Sequence, residues 1–115
     1  MSEGLRTNIK GLPEGRTYFT ELGYSQSYPW AEVRRTPSTV LVAKVHTRGD
    51  PDWKAEFDPG GFSAHCLNQQ DQTWRFDHIS EHHTIRLRKA KDGTWRWKRR
   101  KFVENVAIEF YDYNF

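Results

Sequence analysis

Short runs of alternating apolar and polar residues, separated by Gly and Pro, follow one another from Arg16 onward. The clearest is 38–47, STVLVAKVHT, where β-branched residues concentrate and apolar side chains fall on both faces, as in a central strand. No window shows a sustained helical period. Further strands are predicted at 17–20, 30–35, 53–57, 62–66, 72–78, 84–90 and 94–101, and the tail 102–113 is predicted to close the sheet with Val106, Ile108 and Phe110 on one side.

This pattern predicts an all-β protein, either a single small antiparallel barrel or a two-layer meander of six to eight strands. A sheet of this size must curl or close to protect its edges. Residues 16–115 would form the one domain, which is long enough to bury a core. Residues 1–15 are polar and rich in Gly and Pro, so they predict a flexible N-terminal arm that adds nothing to the core.

Composition narrows the class of protein. Aromatic residues make up 15% of the chain against 36% hydrophobic in total, so a few large side chains must supply much of the burial. No apolar stretch approaches the roughly 20 residues that span a bilayer, and the N-terminus lacks the apolar centre of a signal peptide. Cys66 is the one cysteine, in agreement with a reducing compartment. We expect no membrane association and a cytoplasmic location.

Charge is distributed unevenly. Residues 84–101 hold nine of the 18 Lys and Arg and only one acid, Asp92, so this segment carries a formal charge of +8 while the rest carries −5. Such asymmetry indicates an anionic partner more directly than the net charge of +3 does.

The register of the hairpin around Asp92-Gly93 decides where these charges point. A two-residue turn would place Arg88 opposite Trp97 on a mixed aromatic and cationic face. A three-residue loop, with Gly93 in the left-handed conformation, would instead place Leu87 opposite Trp97 and Lys89 opposite Trp95 on the core side. We favour the second register because it buries Leu87 and Trp97 together. The outer face would then carry Arg86, Arg88, Arg96 and Lys98.

The predicted function is binding, not catalysis, with an anionic partner that the basic hairpin contacts. Nucleic acid is the leading candidate, since cations neutralise phosphates and exposed aromatics such as Trp53 or Trp95 would stack on bases. The alternatives are an acidic protein surface or pairing with the protein's own acids. The cations predicted to contact this partner are Arg86, Arg88, Arg96, Lys98, Arg99, Arg100 and Lys101.

Histidine and cysteine cluster within a short stretch, with Cys66, His78 and His82 as conceivable zinc ligands beside His65. No CxxC pair accompanies them, so the spacing does not match recognised zinc sites, and we expect no metal and no other cofactor. Phosphate-binding loops, dinucleotide-binding glycines and nucleophile elbows are absent from the sequence.

Two segments resemble a loosely defined family of small bacteriophage and prophage proteins. They are GYSQSYPWAEVRRTPSTVLV (23–42), apart from Pro29, and GGFSAHCLNQQDQTWRF (60–76). The resemblance implies a phage or mobile-element accessory protein in the host bacterial cytoplasm. The resemblance itself brings no function; the alternative function is an inhibitor of a host protein in defence or takeover, and a virion component, a monomer and a homodimer all stay open. The resemblance also singles out a polar loop of Asn68, Gln69, Gln72 and Trp74, which either binds or satisfies backbone groups of a turn.

Overall fold

The computed structural model describes residues 4–58 and 65–114, in which β-strands follow most of the alternating segments of the sequence. No α-helix occurs in these two ranges, and the one helical element is a 3₁₀ turn at Gln69–Asp71. The all-β prediction is confirmed. The strands are β1 (Arg6–Thr7), β2 (Ile9–Lys10), β3 (Tyr18–Leu22), β4 (Ser27–Arg35), β5 (Thr39–Gly49), β6 (Trp74–Lys89), β7 (Trp95–Trp97), β8 (Arg100–Glu104) and β9 (Val106–Ala107).

Seven of the strands form one sheet in the order β2-β6-β5-β4-β3-β8-β7, and β7 also pairs with β6, which closes a ring of six strands. Neighbours around the ring are antiparallel, whereas β2 pairs with β6, and β1 with β9, in parallel. Closure removes the exposed edges that a small sheet would otherwise have. Register shifts in the β4–β5 and β5–β6 pairs make the ring irregular.

The largest register shift divides the molecule. Ala43 pairs with Thr84 but Lys44 pairs with Ser80, so residues 81–83 bulge out of β6. We call the closed part, formed by β3, β4, β7, β8 and residues 39–43 and 84–89, the ring. The part beyond the bulge, formed by β2 with residues 45–49 and 74–79, we call the extension.

Two apolar clusters lie on opposite faces of the sheet, because successive residues of a strand point to opposite sides. Phe19 and Trp30 face the inside of the ring, and their neighbours Tyr18 and Ala31 face the outside. The inner cluster is Phe19, Trp30, Val40, Val42, Leu87, Trp95 and Phe102, and the outer one is Ile9, Tyr18, Ala31, Val45 and Ala107. No described helix is long and apolar enough to cross a membrane.

The N-terminal segment belongs in part to the outer cluster. Ile9 is only 4% exposed, and the Thr7 hydroxyl donates a 2.6 Å hydrogen bond to the Ala107 carbonyl. The Tyr18 hydroxyl donates to the Pro13 carbonyl at 2.6 Å. The prediction that residues 1–15 add nothing to the core is therefore wrong, because the few apolar residues of this polar segment do not alternate as in a strand.

Several strand boundaries also differ from prediction. Segments 72–78 and 84–90 are parts of the single strand β6, which continues through its bulges. Segment 94–101 is broken after Trp97 by a two-residue turn, in which Lys98 has a φ of 55°. Residues 53–57 form only a bridge from Phe57 to Cys66, and most of predicted strand 62–66 lies outside the described residues. The ring is closed by β7, not by the tail.

Candidate functional site

The β6–β7 hairpin has the register that burial of Leu87 favoured. Lys89 pairs with Trp95 and Arg88 pairs with Arg96, which leaves a three-residue loop at 91–93. Gly93 has a φ of 85°, in the left-handed region that glycine tolerates without strain. This prediction is confirmed.

The side chains on the inner side of the hairpin pack in the core of the ring. Leu87 is inaccessible and Trp95 is 7% exposed, with its indole N–H donated to Glu104 Oε1 at 3.0 Å. The structure therefore does not leave Trp95 available for stacking on a base. Trp53, the other predicted stacking residue, is half-buried against Tyr113 in the loop that follows β5, away from the hairpin.

The outer side carries a row of cations across three strands. Arg88 on β6 lies opposite Arg96 on β7, and Arg96 lies opposite Lys101 on β8. Arg86 precedes them on the same side of β6, opposite Leu41. We call these four residues, Arg86, Arg88, Arg96 and Lys101, the basic face.

Few acids neutralise the basic face. Arg96 Nη2 lies 3.7 Å from Asp92 Oδ2, and that carboxylate mainly accepts hydrogen bonds from Thr94 in the hairpin loop. Arg86, Arg88 and Lys101 make no ion pair with any residue in 4–58 or 65–114. Three cations on one surface therefore have no ion pair within the described residues.

The other predicted cations lie elsewhere. Lys98 and Arg99 form the turn between β7 and β8, and Lys98 Nζ sits 4.5 Å from the centre of the Trp97 ring. Arg100 points to the inside of the ring, where its Nη1 is 2.6 Å from Glu21 Oε2. Its assignment to the basic face is wrong, because the turn at 98–99 places it opposite Trp97, which packs against the inner cluster.

The open end of the ring contains a cavity of about 630 Å³ that sequence reasoning missed. It lies where the β3–β4 turn, the β7–β8 turn and the β6 bulge meet. We call it the mouth; its lining includes Glu21, Tyr28, Trp30, Lys44, Trp97 and Arg100. One signal could have revealed it: Lys44 is the lysine within the apolar run STVLVAKVHT.

Lys44 is the unusual group of the mouth. Its ammonium lies 5.1 Å from the centre of the Tyr28 ring and 5.3 Å from that of Trp30. Burial lowers the pKa of Lys44, although the charges of Glu109 and Glu21 oppose this shift. The ammonium forms no hydrogen bond or ion pair with any described residue.

The predicted polar loop has a structural role. Gln72 is 2% exposed, and its side-chain amide exchanges two 2.9 Å hydrogen bonds with the backbone of Tyr111 and accepts one from Trp74 Nε1. Gln69 Oε1 accepts from the Tyr113 N–H at 2.9 Å, and Asn68 bonds the backbone of 54–56. These side chains hold the C-terminal tail and the loop after β5, so they satisfy backbone groups as the simpler interpretation expected.

The histidines do not gather into a metal site. No three His, Cys, Asp or Glu side chains converge in the described part of the chain. His78 instead stacks on His46 at 4.5 Å, and Cys66 is buried with its Sγ 3.5 Å from Asn68 Oδ1. His65 and His82 are exposed.

No family model, curated protein or solved structure matches this chain. The resemblance to phage proteins stays a prediction, and function must be inferred from the basic face and the mouth.

Proposed function

We propose that the protein binds nucleic acid through the basic face, with Arg86, Arg88, Arg96 and Lys101 contacting phosphates. The observation that carries this proposal is the row of Arg88, Arg96 and Lys101 on three adjacent strands, with little internal neutralisation. Adjacent strands lie about 4.8 Å apart, so the row extends over roughly 10 Å. A linear polyanion matches a linear row of cations better than a single small anion does.

The energetics of the row support the same partner. Like charges directly opposite each other in a sheet destabilise it, by about 0.2–1 kcal/mol per pair. Arg88–Arg96 and Arg96–Lys101 are two such pairs. Phosphates between them would remove the repulsion and release counterions from the nucleic acid, which makes affinity fall steeply with salt.

Fluorescence anisotropy of labelled single- and double-stranded oligonucleotides at several salt concentrations tests this. The variant Arg88→Gln/Arg96→Gln/Lys101→Gln should lose about 100-fold or more in affinity at low salt, and its log–log salt slope should be smaller by about 2 for a single strand. The matched control is Arg6→Gln/Arg48→Gln/Lys54→Gln, which removes the same charge from exposed cations outside the basic face.

Equal weakening by both triple variants would contradict the proposal, since a general charge effect would then explain binding. Absence of wild-type binding at about 20 mM salt would overturn it as well. In that case an acidic protein surface is the next partner to test, by capture from host lysate.

A further inference from the structure

The mouth has the size and walls of a site for a planar group. Its volume of about 630 Å³ lies within the range of about 300–1,000 Å³ typical of small-ligand pockets, which often occupy the mouths of barrels. Tyr28 and Trp30 lie on β4 and Trp97 lies on β7, two strands that are not neighbours in the ring. A planar group inside would therefore contact aromatic side chains from opposite sides of the mouth.

The one acid that lines the mouth, Glu21, is paired with other side chains of the described chain. Glu21 Oε1 accepts from Trp30 Nε1 at 3.0 Å, and Glu21 Oε2 pairs with Arg100 at 2.6 Å. Lys44, by contrast, forms no hydrogen bond or ion pair with a described residue. The side chain is only partly buried, so its ammonium can reach a ligand in the cavity, and a ligand oxygen there would accept a charge-assisted hydrogen bond from it.

The rim of the mouth adjoins the basic face. Arg99 is exposed, lines the mouth and forms no ion pair with a described residue. It belongs to the two-residue turn at 98–99, which one pair of the ladder, Trp97–Arg100, separates from the Arg96–Lys101 pair. A chain of phosphates lying on the basic face reaches the mouth at this turn.

We propose that the mouth binds one unstacked nucleobase with a 4-keto pyrimidine or 6-keto purine oxygen, to which Lys44 donates a hydrogen bond. Tyr28, Trp30 and Trp97 contact the base, while the basic face holds the neighbouring phosphates, so the inference rests on the proposed function. Bases of a duplex are stacked and paired, so the preferred ligand is a single strand.

Oligo-dU and oligo-dC of equal length test the inference, because the two pyrimidines differ at position 4 by a carbonyl against an amino group. Wild type should bind oligo-dU roughly tenfold more tightly at fixed salt. Lys44→Met keeps the aliphatic stem, removes the donor and should make the two affinities equal while binding through the basic face persists. The control Lys54→Met changes an exposed lysine of the loop after β5 and should keep the preference.

A cooperative urea unfolding transition shows that each variant is folded. If Lys44→Met does not fold, Lys44→Leu takes its place. Equal affinity of wild type for both oligomers, or a dU preference that Lys44→Met retains, would overturn the mouth site and leave the basic face standing. No binding of either oligomer overturns both. Free dUMP should compete roughly 100-fold more weakly than the strand; equal competition would show a free-nucleotide site instead.

Discussion

Asp50, at the end of the extension, and the basic face of the ring differ in how their charges are paired. Asp50 directly follows the residues of β5 that belong to the extension, and its side chain is inaccessible. It accepts hydrogen bonds from Lys10 and Thr73, both at 2.7 Å, and from Arg75 at 3.1 Å. In the ring, Arg88 and Lys101 have no ion pair with a described acid. Charges that are paired internally stabilise the fold, and charges left unpaired on one surface are available to a partner.

Two other polar side chains, Gln72 and Lys44, show a similar difference. Gln72, beside the extension, satisfies all of its side-chain hydrogen-bonding groups with the chain around it. Lys44, at the ring's mouth, has an unused donor in a cavity. Gln72 therefore has its partners within the chain, whereas Lys44 has a donor that a ligand in the mouth could use.

The largest expected effect concerns the inner core of the ring. Leu87 is completely buried among the aromatic residues of the inner cluster. Leu87→Ala should lower the free energy of unfolding by about 2–5 kcal/mol, because it removes apolar contacts and leaves a cavity. Urea denaturation measures this; a loss below about 1 kcal/mol would mean that the ring does not depend on this core.

Gln72→Ala should lower the free energy of unfolding by about 2–3 kcal/mol, since it leaves the Tyr111 N–H and the Trp74 indole N–H without acceptors. The matched control is Gln70→Ala, in the 3₁₀ turn that Gln72 directly follows, because the Gln70 side chain is exposed. Urea denaturation of both variants should show a shifted midpoint for Gln72→Ala only. Equal shifts would contradict a specific role for Gln72.

The acid dependence of stability should trace to Asp50. Hydrogen bonds from Lys10 and Thr73 hold the pKa of Asp50 far below its ordinary value. A carboxylate with a depressed pKa contributes stability above about pH 5, and this contribution is lost as pH falls. The urea midpoint of wild type should therefore drop between about pH 5 and 2 more than that of Asp50→Asn. Parallel pH profiles would exclude this carboxylate as the cause.

The smallest predicted effect is a change in stability that has opposite signs in the ring and in the extension. Arg88→Thr should raise the free energy of unfolding by about 0.2–1 kcal/mol, because it removes the repulsion between Arg88 and Arg96. Lys10→Gln should lower it, because Asp50 loses its closest cation. Thermal denaturation at low ionic strength compares the two variants. Destabilisation by Arg88→Thr would show that the basic face already has partners within the chain.

The sequence alone predicted the features of the fold that depend on which side chains are buried. The hairpin register followed from placing Leu87 and Trp97 on one side, and Gly93 marked the left-handed position. The Lys98-Arg99 turn was missed because neither residue is typical of a positive φ, so nothing locally predicts it.

The mouth was missed for a different reason. Tyr28, Lys44 and Trp97 come together only because β7 closes the ring onto β6, and closure is a tertiary event that no single segment encodes. The basic face was easier to predict from the sequence than the mouth, since its cations lie within one hairpin and the strand that follows it.

The most direct test is a titration of isotope-labelled protein with a single-stranded oligonucleotide, followed by amide and indole chemical shifts. The account predicts large, salt-sensitive shifts for Arg88, Arg96 and Lys101 and for the indoles of Trp30 and Trp97, with the extension unchanged. Shifts centred on Trp53 and residues 65–79, or no shifts at low salt, would contradict it.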